Sequence, residues 1–223
     1  MLHCRCRFEH YFDTLCFVNV FRPEIFLQVK QGRARIEDLQ WLSKELETLD
    51  ISAPKTLIYC RSIDSVVNMY VHFSANCKHG EKINMYHAHM TDRCRASILE
   101  DFRQEKSTIR ILISTIAFGM GIDIPDIFRI IHWGPPNTVD EYWQEIGRCA
   151  RKLSSGIAIL YKAPYSVRHR AISNDINQIL SGKKCIRSII FREFKYKEDT
   201  NNKGILFHSD TCCSDCEDHA MSQ

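Results

Sequence analysis

The 223-residue chain contains no G-x-x-x-x-G-K-[ST] segment. Gly182-Lys183-Lys184 is followed by Cys185 and lacks the upstream glycine, and Gly80-Glu81-Lys82 carries its acid in the wrong place. No D-E-x-H tetrad follows a strand-like run either, since Asp140-Glu141-Tyr142-Trp143 falls in the approach to a helix. Without those groups a chain has neither a backbone cradle for a polyphosphate nor an acid to hold its magnesium. A secretory signal is also missing: Cys4, Arg5, Cys6, Arg7 and Glu9 interrupt any early apolar run. No stretch approaches the roughly 18 apolar residues of a membrane span. The expectation is therefore an intracellular, reducing compartment with no membrane partner. A large charge imbalance is absent too, because a net charge of +3 is too small to argue for a polyanion partner from the total.

The distribution of charge says more than its sum. From Ile146 to Asn174 there is no acidic residue, while Arg148, Arg151, Lys152, Lys162, Arg168 and Arg170 all fall there. Lys183, Lys184, Arg187, Arg192, Lys195 and Lys197 form a second basic run, broken only by Glu193. Such clustering suits a phosphate-facing surface or a solvated basic face. The chain has 11 cysteines, yet Cys60, Cys77, Cys94 and Cys149 are scattered singly through segments that read as core. In a reducing compartment a tight cysteine group points to metal rather than to a disulfide framework.

Hydrophobic residues at 44% and charged residues at 26% are ordinary globular values, and the length accommodates one full domain plus a smaller module. Residues 1–24 show no clear period and read as an edge segment or an added tract. Ile36, Leu39, Leu42, Leu46 and Leu49 recur at three- and four-residue steps and predict a helix over 34–49. The chain then alternates. Strands are predicted at 56–60, 83–87, 109–114, 129–133 and 157–161, and helices at about 62–74, 91–104 and 139–149. Unbroken β-branched runs spaced by helices predict a parallel sheet covered on both faces, with function collecting at the carboxyl ends of its strands. From Pro164 to about Tyr196 the pattern is helical and basic. The expected division is an N-terminal extension with its lead-in helix over 1–52, an α/β lobe over 53–163, and a small helical module over 164–223.

Two segments carry phosphate chemistry. The first is Ser114-Thr115-Ile116-Ala117-Phe118-Gly119-Met120-Gly121-Ile122-Asp123-Ile124-Pro125. Gly119 and Gly121 permit a tight turn close to a ligand, Asp123 is an acceptor for ribose hydroxyls or a partner for an arginine, and Ser114 and Thr115 can donate to a phosphate. The second is Gln144-Glu145-Ile146-Gly147-Arg148-Cys149-Ala150-Arg151. Three-residue spacing on the predicted helix would set Arg148 and Arg151 on one face, aimed at one anion or at the helix's own carboxyl end.

The pair A-F-G-M-G-I-D-x-P and Q-E-x-G-R-x-x-R resembles motifs V and VI of RecQ-type DNA helicases in superfamily 2. Supporting matches follow in order. Ile58-Tyr59-Cys60-Arg61-Ser62 looks like motif IV, and Tyr86-His87-Ala88 with Arg95 and Phe102 is similar to the family's Y-H-A-G-L segment and its following helix. Ile131-His132-Trp133-Gly134-Pro135-Pro136 resembles the approach to motif VI, and Phe21-Arg22-Pro23 the lead-in to the lobe. The likeness runs from about Phe21 to Cys216.

The resemblance implies a RecA-like second lobe, ATP-dependent 3′-to-5′ DNA unwinding, magnesium and zinc as cofactors, and a nuclear location. It also implies ATP shared with a first RecA-like lobe, and single-stranded or forked DNA as partner. By resemblance Arg151 is the finger toward the γ-phosphate, Arg148 its neighbouring coupler and Gln144 a nucleotide sensor. Gly121 and Asp123 would line the nucleotide cleft, and Arg61, Ser62, Ser114 and Thr115 would contact single-stranded phosphate. Three positions depart from the family: Ala150 and His89 replace glycines, and Cys149 a small residue. If the glycine at 150 has positive φ, alanine there costs about 1 kcal/mol.

Cys185-Ile186-Arg187 and Cys213-x-x-Cys216 resemble the family's zinc module. The fourth ligand is Cys212 or His208, with Cys212 favoured because soft thiolate suits structural zinc. A chain lacking the phosphate-cradling half is expected to be silent alone. It reads as a motor lobe from an incomplete gene model or truncated copy, as a non-catalytic DNA-binding remnant, or as a partner completing an ATPase site in trans.

Overall fold

Alternation of runs such as Thr56-Leu57-Ile58-Tyr59-Cys60 with amphipathic stretches produces an all-parallel sheet with helices on both faces. The computed structural model describes residues 22–31, 35–115, 123–162, 172–193 and 212–216. Its strands are β1 (Ile25–Gln31), β2 (Lys55–Cys60), β3 (Ile83–Tyr86), β4 (Ile111–Thr115), β5 (Ile127–Trp133) and β6 (Gly156–Lys162), ordered β1-β6-β5-β2-β4-β3. The helices are α1 (Gln40–Leu49), α2 (Ile63–Asn76), α3 (Asp92–Arg103), α4 (Val139–Ile146), α5 (Asn174–Ser181) and α6 (Ile186–Glu193).

Period-two alternation divides each strand between two cores. Leu57, Tyr59, Leu112, Ile130 and Leu160 pack with Phe102 of α3, Tyr142 and Ile146 of α4, and the apolar faces of α5 and α6. Ile58, Cys60, Ile113, Ile131 and Ile159 pack on the other face with Leu42 and Leu46 of α1 and Val66, Met69 and Phe73 of α2. Helix starts follow capping chemistry. Ser62, Thr91, Thr138 and Ser173 accept hydrogen bonds from the backbone N–H of Ser65, Cys94, Glu141 and Ile176, at 3.2, 3.4, 3.2 and 3.3 Å.

The five predicted strands are present, with boundaries shifted by a few residues. A sixth, β1, was not expected. It pairs in parallel with β6 from Ile25 opposite Gly156 to Gln31 opposite Lys162, so the sheet begins well ahead of the division expected at residue 53. The helix expected over 139–149 is also shorter. α4 ends at Ile146, residues 147–150 form a turn, and Ala150 takes the left-handed backbone at φ 52°. Long-range bonds fix that turn: Ala150 N–H donates to Ile127 O at 2.8 Å and Lys152 N–H to Pro125 O at 2.9 Å. Tertiary pairing here overrides the local helical preference.

Candidate functional site

The early end of α4 changes how the two arginines are presented. They do not share one helical face. Arg148 is half-buried in the turn, and Arg151 follows the left-handed residue and is partly open to solvent. Arg151 Nη1 pairs with Asp123 Oδ1, and its Nε donates to Gly147 O at 3.5 Å. Asp123 precedes β5, and Ala150 is bonded to the first residue of that strand, so the pair lies at the amino edge of the sheet rather than the carboxyl edge expected. Arg148 lies near Tyr59: burial pushes the Tyr59 hydroxyl's ionisation up, and the Arg148 charge opposes it. Gln144 is exposed on α4. Gly119, Gly121 and the rest of the glycine turn lie outside the described residues, as does His208.

The phosphate candidates lie at the opposite edge. Cys60 and Thr115 are register partners at the carboxyl ends of β2 and β4, which brings Arg61, Ser62 and Thr115 together. Arg61, Ser62 and Thr115 are each partly buried. Ser62 caps α2. Ser114 is fully buried, its hydroxyl donating to Tyr86 O at 2.9 Å and Thr115 O at 2.8 Å. The Arg61 guanidinium is turned inward, with Nε donating to Gly134 O at 3.3 Å and Nη2 3.5 Å from Glu145 Oε2.

Glu145 is a residue that motif reading passed over. Its Oε2 also lies 2.6 Å from His132 Nε2, with both groups buried. His132 is stacked on Tyr59, with centroids 5.4 Å apart, and meets Tyr142 edge-on at 5.1 Å. The result is a buried link from Arg61 at one edge through β5 to the helix that carries the arginine turn. A signal existed in the sequence: Val139, Tyr142, Glu145 and Ile146 form the buried stripe of α4, and a carboxylate on an apolar stripe requires a partner.

Burial holds His132 below its ordinary value of 6.5 despite the opposing pull of Glu145, and burial lowers His87 as well. A lowered histidine keeps its folded-state contribution above pH 6.5 and loses it as pH falls, because the unfolded chain then binds the proton more readily. The urea midpoint is therefore expected to decline as pH falls from 7.5 to 5. A midpoint that stays flat or rises across that window contradicts this reading.

Ala150 gives a second local test. Its left-handed backbone costs about 1–2 kcal/mol, while its buried methyl returns about 0.8 kcal/mol. The strain is the larger quantity, so Ala150→Gly is expected to raise the urea-derived stability, by under about 1 kcal/mol. A measured loss of stability would reverse that ranking.

A third cluster joins residues distant in sequence. The Sγ atoms of Cys185, Cys212, Cys213 and Cys216 all lie within 4.8 Å of one another. Cys185 is 3.7 Å from Cys212 and 3.8 Å from Cys213, and Cys213 is 3.6 Å from Cys216. Bonded sulfurs would stand about 2.05 Å apart. A tetrahedral ion with metal–sulfur bonds of about 2.3 Å has edges near 3.8 Å, so the four thiols fit a single metal ion. Hydrogen bonds from Cys212 and then Cys213 push the Cys185 thiol far down, and Cys212 and Cys216 are pushed up in turn. The cluster thus favours thiolate at Cys185, the form a metal binds.

The parallel sheet, the two-sided helical cover and the paired arginine turn define a RecA-like helicase lobe. Matching the fold is yeast Dbp5 bound to RNA and ADP BeF3, with a TM-score of 0.55 and 20% identity over 75% of this chain and 39% of that one. The second domain of the DEAD-box helicase Mss116p aligns with a TM-score of 0.52 and 19% identity over 72% of this chain and 59% of that one. The chain belongs to the helicase conserved C-terminal domain family, whose pattern matches residues 37–152.

RecQ-type helicases are among its relatives, and the chain is a RecQ-type helicase C-terminal lobe. The ATP-dependent helicase wrn-1 of Caenorhabditis elegans is 34% identical over 148 residues, covering 64% of this chain and 13% of that protein. ATP-dependent DNA helicase Q1 of Mus musculus is 26% identical over 208 residues, covering 87% of this chain and 31% of that protein. Across four such relatives the chain spans 13% to 32% of their length. Among the described residues no helix is long and apolar enough to cross a membrane.

Proposed function

We propose that this chain is the second motor lobe of a RecQ-like, ATP-dependent 3′-to-5′ DNA helicase, acting in the nucleus and silent by itself. Its part in the reaction is electrostatic. The lobe over 53–163, with β1 and α1 leading into it, would present Arg151 to the γ-phosphate of an ATP whose magnesium and phosphates are held by a first lobe. Arg148 would couple that contact to the fold, Gln144 would sense the nucleotide, and Gly121 and Asp123 would line the cleft. The observation that carries the reading is the arginine turn at 147–151, bonded at the amino edge of the sheet with Arg151 ion-paired to an exposed acid.

The carboxyl edge built by Arg61, Ser62, Ser114 and Thr115 would track single-stranded or forked DNA through phosphate, a sequence-independent and salt-sensitive contact. Arg61 and Ser114 would support that edge from within. Cys185, Cys212, Cys213 and Cys216 would hold structural zinc in the module over 164–223.

The test is reconstitution. The wild-type chain is added to a separately expressed first lobe with magnesium-ATP, and hydrolysis is followed with and without single-stranded DNA. Saturable stimulation is the expected outcome, and its absence across a concentration series removes the proposal.

A further inference from the structure

Arg22 lies far in sequence from every group assigned above, yet its side chain reaches the arginine turn. Nη1 donates to Gly147 O at 2.8 Å and Nη2 donates to Cys149 O. These carbonyls fall where α4 has ended and its own donors have run out. A planar guanidinium can hold two carbonyls in fixed relation, which a lysine ammonium cannot. The backbone of Arg22 is itself left-handed, at φ 36°, a conformation that persists in a non-glycine residue only where its surroundings enforce it.

What enforces it comes from the cysteine module. Arg187 of α6 is buried, and its Nη1 donates to Arg22 O at 3.2 Å and its Nη2 to Ile25 O at 2.7 Å. Arg187 is two residues beyond Cys185. Cys213 forms a parallel bridge with Leu27, and Ser214 Oγ accepts from Val29 N–H at 3.3 Å. Two arginines in series therefore connect the four-thiol cluster to the turn that bears Arg148 and Arg151.

We propose that Arg22 is a positioning residue that sets the arginine turn, and that the metal-binding module controls it through Arg187. The proposal rests on the reading that this turn faces a nucleotide. It adds a dependence of the nucleotide-facing groups on the occupancy of a site at the sheet's far edge.

Hydrogen exchange on the full chain tests it without requiring activity. The reporters are the Ala150 and Lys152 amides, bonded to Ile127 O and Pro125 O. Arg22→Ala is expected to speed their exchange by about tenfold or more, since two charge-assisted bonds are lost, while β2 and β4 amides keep their rates. Arg22→Lys, which preserves charge and serves if the alanine variant folds poorly, is expected to fall between. Chelating zinc from the wild-type chain, or Arg187→Lys with zinc retained, should loosen the same two amides. Chelation should add nothing further in Arg22→Ala.

In the reconstituted assay Arg22→Ala should lower kcat with KM for ATP unchanged. Unchanged amide rates in Arg22→Ala, uniform loosening of the whole sheet, or indifference of the turn to chelation and to Arg187→Lys each overturn the proposal. If the wild-type chain stimulates nothing, the nucleotide reading falls, and exchange still decides whether Arg22 sets the turn.

Discussion

Arg151→Ala is expected to reduce the reconstituted ATP hydrolysis by about 10³-fold or more, the usual scale for an arginine finger. That corresponds to about 4 kcal/mol of transition-state stabilisation. What holds Arg151 in place is much weaker. Its partner Asp123 has a side chain 77% exposed, and the arginine side chain is itself 36% exposed. Exposed pairs of this kind contribute about 0–1 kcal/mol. On the proposed reading, a phosphoryl group carrying developing charge would outcompete the carboxylate, and Asp123 would be a partner that is inexpensive to leave. For the same reason the substitution should barely affect folding, within about 0.5 kcal/mol.

The signature is a large fall in kcat with an unchanged denaturation curve. Arg151→Lys should restore only part of the rate, because it keeps the charge and loses the planar fork. Less than a tenfold loss in the alanine variant would exclude Arg151 as the finger. Arg148 should behave differently: it is half-buried beside Tyr59, so its removal should lower both rate and stability.

The second large effect belongs to the cysteines. Cys213→Ser is expected to abolish stoichiometric zinc binding and to destabilise α6 and β1 together. Cys213 is fully buried and has two thiol neighbours, Cys185 and Cys216, at 3.8 and 3.6 Å. Closed zinc sites in small modules supply about 10–16 kcal/mol of apparent binding free energy at neutral pH. A module of two short helices and a five-residue described segment buries too little to replace that. Elemental analysis of the purified variant, paired with a thermal scan, reads both consequences. Zinc content equal to wild type would mean that the four thiols are not its ligands.

Much of the lobe was legible because its strands are continuous β-branched runs, such as Ile111-Leu112-Ile113, which local pattern alone identifies. β1 escapes pattern reading because Gln28 and Lys30 interrupt its apolar run. Gly147 to Cys149 reads as helix because the bonds that end α4 come from Ile127 and Arg22, more than twenty residues away in sequence. Motif spacing singles out Arg148, Arg151 and the cysteines. It could not find Glu145, His132, Arg22 or Arg187, whose roles exist only through partners brought close by the sheet. The orientation of Arg61 was equally invisible: a guanidinium next to a strand end reads as outward until the acid on α4 is in place.

The sheet has two margins, and they are protected differently. β3 is only four residues long, too short to recruit another strand effectively. β1 is seven residues long, and an uncovered margin of that length invites pairing with a neighbouring copy. The segment around Cys213 and Ser214 occupies that margin, bridging Leu27 and accepting the N–H of Val29. An ion held by the four thiols would thus also keep one molecule from stitching itself to the next. Stripping that ion should show first as turbidity and self-association, before any loss of helix or sheet.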